Sequence, residues 1–394
     1  MVKSTSKSPV RRVAVLVDTS TTWGRGIIAG IHRFASERGD WHLFVEARGI
    51  NDSTVMPADW RGDGIIARIA TPEAARSMRR RGIPVVNVSG VLLPGAQFPR
   101  VCNDGREAAR LAADYFLARG FRHFAYLSLR GLEYVSRQRD AFRGFLSDAG
   151  CDCSVKEVPV NSGFISPDWN LRLGQLGKWL AGLPKPLAVL SWGGGRELIL
   201  AALGAGLRVP QEVAVLSSSD DELLDRIGPV PVSGIRAACE TIGREAADML
   251  DRSMRGIALE KREIVVLPLG VTTRQSTDTL AIGDPQLVAA LRFMNENLGQ
   301  PLMISQVARV AGISRRALER RFSEVLRISP GGYLNRVRLD RVKTLLTETM
   351  LPVSDVAERC GFSTPEYMTA LFRRQFGSTP LRHRKETGTA PDRR

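Results

Sequence analysis

Residues 307–380 repeat themselves, and the repeat leaves few folds open to the C-terminal part of the chain. Val307, Ala308, Gly312 and Ser314 return 49 residues later as Val356, Ala357, Gly361 and Ser363. Phe322 and Pro330 return 50 later as Phe372 and Pro380, so the second copy carries one inserted residue. A period of this length needs a repeated supersecondary unit as its cause. Each copy reads as a helix, a glycine turn, a Ser or Thr suited to N-capping, and an amphipathic helix carrying arginine, which is the pattern of a helix-turn-helix. Gly312 supplies the residue for which φ > 0 carries no Cβ penalty. Ser314 caps the next helix, and Leu318 and Phe322, four apart, turn inward. That leaves Arg315, Arg316, Glu319, Arg320 and Arg321 on the outer surface. Four exposed arginines (315, 316, 320, 321) would ordinarily be a solvated face. In the repeat they predict contact with double-stranded DNA, where Arg reads guanine and Glu accepts from cytosine. The second reading helix starts at Thr364 with Pro365 at its first position. Glu366, Thr369 and Ala370 would lie toward bases, and Arg373 and Arg374 would reach phosphate, so this helix is expected to position more than it reads.

Charge supports a polyanion partner at this end. Residues 285–394 hold 19 Lys/Arg against 10 Asp/Glu, and the remaining residues 37 against 31. Basic charge is therefore about four times denser there, the electrostatic footprint of a nucleic-acid-binding domain. The chain of 394 residues has room for two or three domains with a sizeable core. Its first residues are polar with no apolar run of the secretory kind, and no stretch is long and apolar enough to span a bilayer. The five cysteines (102, 151, 153, 239, 360) are odd in number and scattered, as expected for reduced thiols. Cys151-x-Cys153 lacks a second ligand pair for a metal. A cytoplasmic protein with no membrane partner is expected.

Upstream, short apolar runs alternate with helical periodicity. Strands are expected at 12–17, 41–46, 64–67 and 84–88, with helices at 24–34 and 73–81 between them. After Asp104 the helices 106–119, 139–149, 171–180 and 197–205 alternate with strands 123–127, 155–158, 187–190 and 213–216; a helix at 239–255 and a strand at 263–267 follow. This interval argues for parallel sheets with helices on both faces. Two such lobes in tandem suit a ligand cleft beyond the carboxyl ends of the strands. The expected plan is a disordered leader at 1–10, a bilobed ligand-sensing domain at 11–272, a small polar linker at 273–284, an all-helical domain at 285–388 and a tail at 389–394. In the helical domain a first helix at 287–297 and a connecting helix at 332–346 frame the two reading units.

The C-terminal residues resemble the DNA-binding domain of the AraC/XylS family of transcription activators. The resemblance rests on Ala-Gly-Ile-Ser-Arg-Arg-Ala-Leu-Glu-Arg-Arg-Phe at 311–322, on Arg338-Leu-Asp-Arg341, and on the 353–380 pattern ending Phe-Gly-Ser-Thr-Pro. Val13-Ala-Val-Leu-Val-Asp-Thr-Ser, Trp23-Gly-Arg-Gly-Ile-Ile-Ala-Gly-Ile and Gly206-Leu-Arg-Val-Pro-Gln-Glu-Val-Ala-Val-Leu look like the LacI/GalR-type periplasmic-binding-protein fold. Their union is the arrangement of the xylose operon regulator family. The resemblance implies an α/β bilobed type I sensor of two parallel-sheet lobes joined to an all-α double helix-turn-helix domain. It also implies a homodimeric regulator, an activator of sugar-catabolism genes that would meet RNA polymerase, with a small sugar as effector. By position, the carboxylates, arginines and aromatic faces that meet sugar hydroxyls in relatives correspond to Asp18, Trp23, Arg68, Asp104 and Arg139, with Arg137 as an alternative to Arg139. Ser191, Trp192 and Asp220 complete the ligand set. The chain departs from the pattern there: Ser191-Trp192 followed by Gly193-Gly-Gly195 stands where relatives carry Asn-Asp, and Ser219-Asp220-Asp221 where they carry Asp-Asn-Asp. The loss of a hydroxyl acceptor reduces sugar affinity or changes the sugar.

Other chemistries find little support. Gly24-x-Gly26-x-x-x-Gly30 follows a strand but departs from the dinucleotide spacing, and Gly193-Gly-Gly195 lacks the Gly-Lys-Ser/Thr of a phosphate loop. The four histidines (32, 42, 123, 383) have no nucleophile or metal partner in the sequence. No catalytic residue, metal or cofactor is expected. Two functions remain open: a sugar-responsive regulator, and a DNA-binding regulator whose sensor takes a non-sugar metabolite or serves only for dimerisation.

Overall fold

The computed structural model describes residues 10–50, 52, 59–95, 97–159, 167–279 and 284–387. The leader expected at 1–10, except Val10, and the tail expected at 389–394 lie outside the described residues.

The chain builds lobe 1 first, through β1 (Arg11–Leu16), α1 (Thr22–Arg38), β2 (Trp41–Val45), β3 (Gly64–Ala67), α2 (Pro72–Arg79), β4 (Val85–Asn87) and β5 (Arg100–Asn103). It crosses at Asp104 into lobe 2: α3 (Gly105–Ala118), β6 (His123–Leu129), α4 (Glu133–Asp148), β7 (Cys153–Val158), α5 (Trp169–Ala181), β8 (Leu187–Ser191), α6 (Gly195–Gly204), β9 (Val213–Ser217) and β10 (Ser233–Arg236). It then returns to lobe 1 for α7 (Cys239–Met254) and β11 (Glu263–Val266), and crosses once more to β12 (Gly270–Thr272). The sheet orders are β11-β5-β4-β3-β1-β2 and β12-β10-β9-β8-β6-β7, parallel apart from the antiparallel β10–β12 pair. β3, β8 and β9 are buried at every residue, the mark of strands covered on both faces.

The lobes are therefore interleaved, where the alternation of strands and helices predicted a tandem pair. Helix α7 packs along α1 across more than two hundred residues of sequence, and glycine makes this possible. A Cβ on Gly30 would lie 2.1 Å from the Glu240 carbonyl oxygen, and one on Gly243 2.1 Å from that of Ile27. One on Gly26 would meet the Cys239 Cβ at 2.7 Å. In the Gly24/Gly26/Gly30 spacing that superficially suggests a dinucleotide loop, Gly26 and Gly30 are thus a helix-packing device. Ile27, Ile31, Ile242, Ala246 and Leu250 complete the buried seam with the sheet.

The small polar residues at 273–279, expected as linker, are fastened to lobe 2. Ser276 and Thr277 are fully buried. Ser276 Oγ donates to the Val215 carbonyl at 2.6 Å and accepts from the Ser233 amide at 2.8 Å, and Thr277 shares a hydrogen bond with Tyr115 at 2.6 Å. Residues 280–283 lie outside the described residues.

The remaining chain is helical: α8 (Pro285–Glu296), α9 (Ile304–Val310), α10 (Arg315–Leu326), α11 (Pro330–Glu348), α12 (Val353–Arg359), α13 (Pro365–Phe376) and α14 (Pro380–Thr387). Two small cores serve it, one around Leu318 and Phe322, the other around Met368 and Phe372. The repeat is longer than its apolar signature. The Phe322 ring meets Tyr333 edge-on at 5.8 Å, and the Phe372 ring meets His383 in the same way at 5.5 Å. Both pairs are separated by the same sequence interval, so α14 is the counterpart of the first turns of α11. The inserted residue falls in the second turn: Ser314 caps α10 but Thr364, not Ser363, caps α13.

Gly243→Ala is expected to destabilise the chain by roughly 1–3 kcal/mol through overpacking in urea denaturation. Gly144→Ala, mid-helix with open space around its Cβ position, should stabilise by about 0.5–1 kcal/mol.

Candidate effector cleft and DNA-reading face

Each sheet reverses its strand order once, between β1 and β3 in lobe 1 and between β6 and β8 in lobe 2. The crevice of an open α/β sheet lies at the carboxyl ends of such neighbours. Asp18 follows β1, Arg68 follows β3 and Trp192 follows β8, so the topology brings three of the sequence-selected residues to one cleft.

Asp18 is 3% exposed. Its Oδ2 accepts from Thr21 Oγ1, whereas its Oδ1 is buried with no hydrogen-bond partner. Gly24 allows this approach, since a Cβ there would lie 1.9 Å from the Asp18 carbonyl oxygen. Trp23, in the first turn of α1, packs its inner edge on the lobe 1 core. Arg68 donates to the Ile50 carbonyl at 3.1 Å and reaches across to the Tyr134 hydroxyl of lobe 2, which the Trp192 indole also meets. The Tyr134 and Trp192 rings stand edge to face, 5.2 Å apart. Burial raises the Tyr134 phenol above its ordinary range, so it stays a neutral donor.

Two further contacts span the lobes. The Asp221 carboxylate accepts from both the amide and the hydroxyl of Thr22, at the amino end of α1. Burial opposes its charge, but the hydrogen bonds from Leu224 and Thr22 and the nearby Arg25 together hold its pKa below the usual carboxylate range. Arg137 Nη2 donates to the Gly90 carbonyl at 3.3 Å. Gln138, 2% exposed beneath them, accepts from Tyr126 and from Ser218, each at 2.9 Å.

Other sequence-selected residues are turned elsewhere. Ser191 is fully buried and donates to the Gly193 carbonyl, because the strand ends in a tight turn back on itself. Asp220 is held by Arg274 at 2.6 Å and Thr272 at 2.6 Å, which fastens the last crossing strand. Arg139 pairs with Asp140 at 2.8 Å and Glu157 at 3.0 Å on the edge strand β7, so Arg137 and not Arg139 crosses the cleft. Asp104 is the N-cap of α3, accepting from the Glu107 amide at 2.8 Å at the first crossing. Sequence reasoning missed Tyr134, Gln138 and Asp221. Helix α4 begins at Glu133, six residues before the expected start, and its N-cap Leu132 makes no side-chain cap bond, so the sequence carries no start signal there.

In the helical domain Ser314 Oγ accepts from the Ala317 amide at 3.2 Å and Thr364 Oγ1 from the Tyr367 amide at 3.1 Å. Arg315, Arg316, Glu319 and Arg320 are exposed on α10, and Arg315 pairs with Glu319 at 2.9 Å, a surface pair of little net strength. Arg321 departs from the expected outer face: it is turned onto Asp284, the N-cap of α8, and anchors the unit. On α13 Glu366, Arg373 and Arg374 are exposed and Thr369 is half-buried. Arg338 holds the two units together. It is 7% exposed, donates to the Leu298 carbonyl at 3.1 Å and the Gln300 carbonyl at 2.6 Å, and lies against the Phe362 ring. Gly361, with φ 75°, sits so close that a Cβ would meet the Arg338 Nη2 at 2.7 Å.

The sensor and the helical domain meet along α3 and α11. Arg110 of α3 bridges Glu107 and Asp114, at 2.8 Å to each, and Arg336 of α11 reaches Asp114 at 3.5 Å. Asp340 and Lys343 of α11 face Arg110 and Glu107 closely enough to couple electrostatically. Arg122 donates to the Val325 carbonyl at the end of α10.

Asp225 lies behind Asp221 and accepts its amide at 2.8 Å. Burial, with Asp220 adding to it, pushes its carboxyl up to about 6. The raised value stabilises the protonated form, so stability is lost as pH rises from about 4 through about 6. Asp225→Asn is expected to raise the thermal midpoint at pH 8 and to leave it unchanged near pH 4, checked by calorimetry across that range.

Residues 12–103 match the XylR N-terminal domain family, 113–277 the periplasmic binding protein-like domain family and 307–386 a helix-turn-helix domain family. The chain is 23% identical over 383 residues to the xylose operon regulatory protein of Escherichia coli (strain K12), covering 95% of this chain and 96% of that one. It is 33% identical over 125 residues to the transcriptional activator RhaS of Enterobacter sp. (strain 638), covering 31% of this chain and 45% of the activator. The solved structure of the xylose-binding transcription activator xylR superposes with a TM-score of 0.62 at 21% identity, over 97% of this chain and all of that one. In domain order, span and fold, the chain is xylose-operon-regulator-like: an XylR N-terminal domain and a periplasmic-binding-like domain followed by a helix-turn-helix DNA-binding domain.

Proposed function

We propose that this chain is a sugar-responsive, DNA-binding transcription regulator whose effector sits between the two lobes and whose paired helix-turn-helix units read an operator. It acts by binding and carries no catalysis of its own. The observation that carries the sensor reading is the buried, unpartnered Oδ1 of Asp18, a residue that the strand order puts at the switch point with Arg68 and Trp192. A carboxylate oxygen sealed from water without a donor is costly, and a sugar hydroxyl supplies the donor. The Trp faces suit the apolar faces of a pyranose. The names of the relatives supply the effector class, a pentose such as xylose. The chain's own contacts favour a changed specificity, since Asp220 and Ser191 are occupied within lobe 2. A second reading, a non-sugar metabolite or a sensor used for dimerisation, draws on the Arg68–Tyr134, Asp221–Thr22 and Arg137–Gly90 bridges, which hold the cleft with side chains of the chain itself.

The coupling follows from the seam. Helix α3 starts at the first crossing between lobes and ends against α11, which carries both reading units through Arg338. Rotation of the lobes about Asp104 would turn α3 and re-space the units in a dimer on its operator, where an activator would present them to RNA polymerase.

A pentose should raise the thermal midpoint and change operator affinity, with Asp18→Asn weakening the response at least about tenfold. No shift with any monosaccharide would sink the sugar reading and leave the regulator reading standing. Operator binding should fall steeply with salt, Arg316→Ala relaxing base preference and Arg373→Ala weakening cognate and random DNA alike. Glu107→Ala with Asp114→Ala should keep operator binding and lose its dependence on effector; an unchanged dependence would exclude the seam as the route.

A further inference from the structure

Lobe 1 holds a second cavity, of about 320 Å³, on the flank of its sheet and separate from the switch-point cleft. Its walls are Ile69, Leu92, Leu93 and Phe98, and its polar corner is Arg100, Arg262 and Glu263. Arg100 belongs to β5, inside the sheet, with β4 on one side and β11 on the other. It is 8% exposed and pairs with Glu263 through Nη2. Its Nη1 is buried and has no hydrogen-bond partner. Arg262 donates to the Gln97 carbonyl at 3.2 Å, which ties the wall at 97–98 to β11.

Arg100 and Arg262 outnumber the one carboxylate, Glu263, among the lining residues, so the corner carries one positive charge in excess. An unpaired donor buried against an apolar wall is unfavourable, and a guanidinium N–H is best satisfied by an anionic oxygen. The volume lies at the small end of ligand sites. We infer that this cavity is a second effector site, for a small monocarboxylate with an apolar body, whose carboxylate meets the corner formed by Arg100 and Arg262 while the body packs on Leu92, Leu93 and Phe98. Val91, Leu92 and Leu93, which line it, follow directly on Gly90, the acceptor of the Arg137 bridge between lobes. An occupant would therefore bear on cleft closure as well as on lobe 1 stability.

The experiment is calorimetric titration of the full chain with benzoate, and with benzamide and inorganic phosphate as the neutral and the body-less probes. Benzoate should bind in the millimolar range or tighter, benzamide and phosphate at least about tenfold more weakly. Arg100→Gln should abolish the benzoate signal. Leu92→Glu, at a half-open position on the rim, should weaken it about tenfold by charge repulsion without touching the Arg100–Glu263 pair, and far-UV circular dichroism confirms that both variants are folded. Asp18→Asn should leave benzoate binding intact, which separates this site from the sugar cleft. Absence of benzoate binding, equal binding of benzamide, or binding unaffected by both Arg100→Gln and Leu92→Glu would overturn the assignment.

Discussion

The architecture of the sensor depends on the approach of α1 to α7. Gly26, Gly30 and Gly243 let the two helix backbones touch, and any larger side chain would separate them. That contact draws the chain back from lobe 2 to lobe 1 after β10, and the return obliges it to cross the gap three times. A bilobed molecule with three crossings keeps a hinge and a cleft. Two lobes joined by one crossing would be domains on a tether.

The cleft inherits its chemistry from where the sheets reverse their order. Asp18, Arg68 and Trp192 arrive there just beyond the ends of β1, β3 and β8, and the strands behind them are buried and rigid. The polar residues that bridge the lobes come from elements that approach from the side: Tyr134 and Arg137 from the early turns of α4, Asp221 from the loop after β9. Each bridge joins opposite lobes, so the same side chains that would surround an effector also set how far the lobes open. Asp225 behind Asp221 adds a buried carboxyl whose ionisation works against that arrangement as pH rises.

In the helical domain the repeat produces two similar units, but a single buried arginine makes them one body. Arg338 satisfies carbonyls in the chain that leaves α8 and supports the turn of the second unit at Gly361 and Phe362. A buried guanidinium held by carbonyls is sensitive to displacement, because a lost hydrogen bond leaves a buried charged donor unsatisfied. The rigid α11 that carries it also faces α3, so one helix joins both reading units and the sensor.

By itself the sequence determined the local elements and the class of molecule. Apolar runs identified the buried strands, glycine turns with Ser314 and Thr364 marked the reading helices, and the two-copy pattern specified a pair of helix-turn-helix units. These are short-range signals, written in periodicity and caps. Strands β5, β10 and β12 escaped because they are short and carry few apolar residues, and the start of α4 escaped for want of a cap. The tertiary structure decided the rest. Whether Asp220 or Asp221 faced the other lobe, whether Arg137 or Arg139 crossed, and whether Arg321 lay outside were settled by partners far away in sequence: Arg274, Thr22, Gly90, Glu157 and Asp284. The interleaving of the lobes was likewise out of reach, because the glycines that permit it are more than two hundred residues apart and signal only when the two helices are brought together.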